Sequence, residues 1–139
     1  GNVRDVFTCA SMDFIHHYLL GDWGDDSVID EGLMEEALRG GQLWDVNTYL
    51  GLYCDRRLRQ GDFAGARALL ARLDDMNDSY GYAFAGANHD GMTALLLLEE
   101  RQLTEASRAI EDYIAMRHED ALRVFGLPPA CVATRRSQR

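Results

Sequence analysis

The chain contains no lysine: all fourteen of its basic residues are arginine. This excludes Schiff-base chemistry and a Walker-type phosphate lysine. Proline is nearly missing as well. The two present, Pro128 and Pro129, are adjacent and close to the end, so the first 127 residues are free of the strongest helix breaker. Cysteine is scarce and unpaired in pattern. Cys9, Cys54 and Cys131 are odd in number, widely spaced and without a C-x-x-C pair, so neither a disulfide frame nor a zinc site is indicated. A reducing, cytoplasmic setting is expected. Long apolar runs are missing too. Ala94 to Leu98 is five residues long, far below the about 18 needed to span a bilayer, and no signal peptide is visible. Valine and isoleucine are few, which disfavours strands.

What is present suits one helical domain. The 139 residues are 47% hydrophobic and 27% charged, enough to bury a core. Ala, Leu, Arg, Glu and Asp dominate, and they favour helix. The net charge is −9. Arg135, Arg136 and Arg139 cluster at the end, leaving the remainder near −12. Such a surface repels phosphate backbones, so a nucleic-acid partner is not expected. The sequence opens Gly1-Asn2-Val3 without Met and reads as an excised piece of a longer protein or as carrying a tag scar.

A period organises the chain. Gly61-Asp62-Phe63 is preceded by Gly21-Asp22-Trp23 and followed by Arg101-Gln102-Leu103, a step of 40 each time. In that register Met12, Leu52 and Met92 correspond, as do Tyr18, Leu58 and Leu98. Ser11, Gly51 and Gly91 form a small position, and Thr8, Thr48 and Asn88 a polar one. Ile29, Leu69 and Ala109 follow the turn, then Asp30, Leu70 and Ile110, then Leu33, Leu73 and Tyr113. A period of this size signals stacked units that cannot bury their apolar faces alone.

Each unit reads as two helices. In the middle unit, Leu43, Val46, Leu50, Tyr53, Cys54 and Leu58 recur at three- and four-residue steps and predict a helix from Leu43 to Arg59. Gly61 supplies a left-handed stop and Asp62 a cap. The next helix carries Phe63, Ala66, Leu69, Leu70, Leu73 and Met76, with Asp74 to Ser79 expected as a loop. The first unit is expected to pair a helix over Val3 to Leu20 with one over residues 25–38, stopped at Gly40-Gly41. The third pairs a helix between Ser79 and Arg101, interrupted by Gly81, Gly86 and Gly91, with one from Thr104 to His118. Ala121 to Phe125 either extends that helix or forms a short seventh one. The units fall at about 3–40, 43–78 and 79–120 within one domain, 1–126, followed by a flexible tail over 127–139.

The middle unit resembles a tetratricopeptide repeat at Leu50, Cys54, Gly61, Asp62, Phe63, Ala66, Leu70 and Leu73. Cys54 and Ala66 would be the small pair at which two helices approach. The third unit matches at Ala94, Leu103, Ala106 and Ile110. The first keeps Gly21, Asp22 and Trp23, but Phe14 and Asp26 stand at its two small positions. The 40-residue period is similar to the long repeats of sensor regions in large bacterial regulators. The resemblance implies an all-α fold, a right-handed α-α superhelix of three antiparallel helix pairs. It also implies a non-enzymatic module that binds protein or peptide. A small-molecule sensor with its ligand held between repeats is the alternative.

The register also nominates a groove. First helices of successive units would lie side by side, bringing Ser11, Ile15, Tyr18 and Leu19 alongside Gly51, Asp55, Leu58 and Arg59, and these alongside Asn88, Gly91, Leu95, Leu98 and Glu99. Ile15, Tyr18, Leu58, Leu95 and Leu98 would make an apolar floor, with Asp55, Arg59, Asn88 and Glu99 as polar anchors. No catalytic, cofactor or metal site is indicated. His16 and His17 diverge by about 100° on a helix, while Asp13 and His16 could share a face. Asp22, Asp25 and Asp26, like Asp74, Asp75 and Asp78, lack a calcium-loop pattern. His89-Asp90 and His118-Glu119-Asp120 lack a nucleophile. Exposed array ends would favour a two-fold homodimer.

Overall fold

The computed structural model describes residues 2–21, 30–81 and 83–125, with side chains at 2–21, 30–81 and 85–115. These residues form six helices: α1 (Val3–Leu20), α2 (Glu31–Arg39), α3 (Leu43–Arg59), α4 (Phe63–Tyr80), α5 (Ala83–Glu99) and α6 (Leu103–Phe125). Among the described residues there is no strand, and the protein is all-α. The segments 22–29 and 126–139 lie outside the described residues, and with them Trp23, the aspartates at 22, 25 and 26, Cys131 and the expected tail.

The turns are more regular than the 40-residue period implies. Left-handed backbone occurs at Gly21, Gly41, Gly61, Gly81 and Arg101, a constant step of 20. Three of these turns repeat one hydrogen-bond pattern. Gly41 N–H donates to the Leu38 carbonyl and Gln42 N–H to that of Ala37. Gly61 and Asp62 donate to Leu58 and Arg57, and Arg101 and Gln102 to Leu98 and Leu97. Each pair satisfies carbonyls that the ending helix leaves without a partner. The next helix then starts at once, with Val46, Ala66 and Ala106 donating to residues 42, 62 and 102. At Gly61 a Cβ would meet nothing within 4 Å, so the demand for glycine is conformational. Arg101 adopts the same conformation, at φ 60°, with a side chain that makes it costly. Arg101→Gly is therefore expected to raise stability by about 1 kcal/mol. A denaturant midpoint that stays put or falls would contradict this.

α3 is the centre of the molecule. It packs against α1, α2, α4 and α5, and Val46, Leu50, Cys54 and Leu58 are buried on it. α1 runs parallel to α3, because Thr8 bonds Asp45 at one end and Tyr18 bonds Asp55 at the other. α3 and α4 form a tight hairpin. The Cys54 thiol donates to the Ala66 carbonyl at 3.7 Å, and neither residue is exposed. Burial pushes the Cys54 thiol up from 9.0 to about 12, with Asp55 adding to the shift. Two expectations follow. Cys54 resists alkylation in the native state while exposed Cys9 reacts, which peptide mapping after iodoacetamide labelling checks. The sign for stability runs downward with alkali. The unfolded chain loses this proton near pH 9 and the native state holds it to about pH 12. The contribution is therefore whole below pH 9 and is lost above it, at up to about 1.4 kcal/mol per pH unit.

The later helices depart from the sequence reading. Asp74 to Ser79 is helical and not a loop, because Leu69, Leu73 and Met76 continue the buried stripe while Asp74, Asp75 and Asp78 face outward. α5 accordingly starts at Ala83 and not at Ser79, and Gly81 is the stop of α4. Gly86 and Gly91 do not interrupt α5. A Cβ at Gly86 would lie 3.4 Å from the Asn77 side chain of α4, and one at Gly91 would lie 3.5 Å from Tyr113 of α6. α5 is pressed by α3, α4 and α6, and small residues allow that approach. The second helix of the first unit, expected over residues 25–38, starts at Glu31 behind an Asp30 cap in the described part. Ala121 to Phe125 belongs to α6 and makes no separate helix.

Candidate binding face

The parallel pair α1 and α3 brings together residues from both helices on one polar seam. Gln42, 7% exposed, donates through Nε2 to the Arg4 carbonyl (3.1 Å), Thr8 Oγ1 (3.3 Å) and Asp45 Oδ2 (3.2 Å). The Thr8 hydroxyl donates to the same Asp45 oxygen at 2.8 Å. At the far end of the seam lies the strongest constellation. Asp55, 7% exposed, accepts from the Tyr18 hydroxyl and from Arg59 Nε at 2.7 Å, both on Oδ2. Asp55 is thus a buried carboxylate with two donors, the condition under which burying a charge is tolerated. Burial raises the Tyr18 phenol above its usual range, and the Asp55 hydrogen bond and charge push the same way against Arg59. Arg59 is held more firmly protonated by the Asp55 hydrogen bond and charge. Its side chain is still half exposed, at 50%. The result is a guanidinium fixed in place from below on the outer surface of α3.

The α3–α5 seam is built differently. Asn88 Nδ2 donates to Asn47 Oδ1 at 3.0 Å and lies across Gly51, where a Cβ would stand 3.2 Å away. Gly51 is small because the Asn88 side chain occupies its space. Beyond it α5 exposes Leu95 (39%) and Leu98 (40%), with Glu99 also exposed.

Of the nominated groove residues, the structure joins Tyr18, Asp55 and Arg59 directly. It places Asn88 in the α3–α5 seam and Leu95, Leu98 and Glu99 on the open side of α5. Ile15 is half-buried and Leu19 exposed, whereas Ser11 is buried and Gly51 is buried as a close-approach position. Leu58 requires correction: at 5% exposed it belongs to the buried core cluster and not to an apolar floor. Asp55 lies beneath the surface and supports Arg59, so it is not an outer anchor. Asp13 lies 3.8 Å from His17 Nε2, one turn on, where the sequence reading placed it with His16. His89 and Asp90 pair with each other at 3.0 Å.

Sequence reasoning missed Asn47 and Arg56. Asn47 is the residue before the polar repeat position Thr48 and turns inward to meet α5. Arg56 is 1% exposed on α3, at the register position of His16 and Leu96. The apolar Leu96 at that register position was the available signal, and the structure buries it. Among the described residues no three His, Cys, Asp or Glu side chains converge to hold a metal ion. No described helix is long and apolar enough to cross a membrane. A surface depression of about 270 Å³ lies at the start of α1, lined by Asn2, Val3, Arg4, Glu36, Gly40 and Gln42. That is slightly below the roughly 300–1,000 Å³ of ligand pockets.

No family model, curated protein or solved structure matches this chain.

Proposed function

We propose that the six helices are three stacked hairpins of a right-handed, tetratricopeptide-like superhelix, and that the chain is a non-enzymatic protein-interaction module of a larger bacterial regulatory protein. Support for the stacking comes from the parallel α1 and α3, from the contact of α3 with α5, and from the 20-residue step of the left-handed turns. The face made by α1, α3 and α5 binds a peptide segment.

One observation carries the binding reading: Asp55 fixes Arg59 from beneath while half of the Arg59 side chain stays open. A preorganised donor loses little conformational entropy on binding. Its charge is already balanced by Asp55, so it suits a carbonyl acceptor better than a second carboxylate. Leu95 and Leu98 supply apolar contact on the neighbouring helix. The net charge of −9 adds attraction for a basic segment. The partner is accordingly a peptide with apolar anchors and basic flanks.

Selection of a random peptide display library on the protein tests this. The selected peptides are expected to combine apolar and basic residues. Arg59→Glu and Leu98→Glu should each weaken them at least about tenfold, or 1.4 kcal/mol. A library that enriches nothing, or peptides indifferent to both substitutions, would overturn the reading.

A further inference from the structure

One stripe of α3 runs between α1 and α5. At about 100° per residue, Trp44, Thr48, Gly51, Asp55 and Arg59 fall within about 80° of one another around the helix axis. α1 flanks the stripe on one side, where Thr8 bonds Asp45 and Tyr18 bonds Asp55. α5 flanks it on the other, where Asn88 bonds Asn47 and lies across Gly51. The stripe is closed in its middle and open at its ends. Gly51 and Asp55 are buried, whereas Trp44 is 62% exposed and the Arg59 side chain 50%. Tryptophan and arginine are the side chains in which binding hot spots are enriched, and α3 presents one at each end of a single stripe.

The two ends differ in charge. Asp55 is balanced by Arg59 at one end. At the other, Asp45 accepts from Gln42 Nε2 and from the Thr8 hydroxyl, both on Oδ2 and both neutral donors. Among the described residues no basic side chain lies within ion-pair distance of Asp45. Arg4 gives this seam its backbone carbonyl, while its side chain is exposed. The N-terminus of α3 offsets about half of the Asp45 charge and leaves the rest. An exposed indole face and an unbalanced carboxylate attract the same kind of group, a cation. We propose that the Trp44–Asp45 end of α3 receives a lysine or arginine side chain of the same peptide that Arg59 holds. This rests on the peptide reading and places the basic flank of that peptide. Trp44 and Arg59 stand fifteen positions apart, a rise of about 22 Å. An extended peptide covers that distance in about seven residues.

The test runs the peptide selection in parallel on the parent protein and on Trp44→Ala. Thermal melts followed by circular dichroism check that the variant folds, and Trp44→Leu serves if it does not. Peptides from the parent are expected to carry Lys or Arg about seven residues from their apolar anchor. Those from the variant are expected to keep the anchor and lose that preference. A synthetic peptide from the parent selection is expected to bind Trp44→Ala about three- to tenfold more weakly. The loss is expected to vanish once the basic residue of that peptide is replaced by Gln. A loss that is the same with and without the basic residue would overturn the proposed cation site. Undiminished binding to Trp44→Ala, with the tenfold loss on Arg59→Glu intact, would overturn it and leave the peptide reading standing. Indifference to both substitutions, or a selection that enriches nothing, would overturn the two together.

Discussion

Phe14→Ala is expected to lower stability by about 3–5 kcal/mol, the largest loss from any substitution considered for α1. Phe14 is 2% exposed. Its ring stands 5.0 Å from that of Tyr49 and 6.0 Å from that of Tyr53, edge-on to both. Those tyrosines lie on α3 and are themselves 5.5 Å apart, with the Arg57 guanidinium 4.8 Å over the Tyr53 ring. Edge-to-face contacts add to the area term. Alanine would remove the ring that joins α1 to α3 and leave a space walled by two tyrosines. Burial raises the Tyr49 phenol, with Tyr53 and Glu31 adding to the shift, so Tyr49 stays neutral there and cannot recover solvation by ionising. Urea denaturation measures the loss. A change below about 1 kcal/mol would mean that the aromatic cluster does not hold α1 in place.

Ala66→Leu is expected to cost about 1–3 kcal/mol by overpacking. The Ala66 carbonyl receives the Cys54 thiol, and both residues are fully enclosed. Three added heavy atoms have nowhere to go unless α3 and α4 separate. Separation would strain the Gly61 turn and the Asp62 cap, whose side chain accepts from Gly65 N–H at 2.9 Å. Ala66→Gly serves as the contrast: it loses helix propensity of about 1 kcal/mol without overpacking. Equal stability of Ala66→Leu and the parent would place the contact elsewhere.

The middle unit was legible because its local signals agree. Gly61, Asp62 and the apolar stripe of Phe63 to Met76 specify the same hairpin, and the limits of α1 and α3 follow from the apolar spacing and their glycine stops. Misreadings arose where composition and position conflict. The polar run from Asp74 to Ser79 outweighed Met76, which was already placed on the apolar stripe and is 2% exposed. Phe14 stands at a register position that is small in the other units, and the space it fills is created by Tyr49 and Tyr53 on a different helix. No local pattern encodes that. The Tyr18–Asp55–Arg59 group was legible residue by residue, since all three were nominated. Their depth order was not, because it depends on α1 lying parallel to α3 at a particular offset. Leu58 fell on the wrong side of the surface for the same reason. Arg56 was hidden by its type, since arginine is rarely enclosed.

The central claim is that the α1–α3–α5 face binds a peptide segment through Arg59 and the leucines of α5. Hydrogen–deuterium exchange of the protein with and without a selected peptide tests it most directly. Binding is expected to slow exchange in the segments of α1, α3 and α5 that carry Tyr18, Arg59 and Leu98, while α2 and the outer side of α6 are unchanged. Protection confined to α2, α4 or α6, or no protection at a saturating peptide concentration, would contradict the claim.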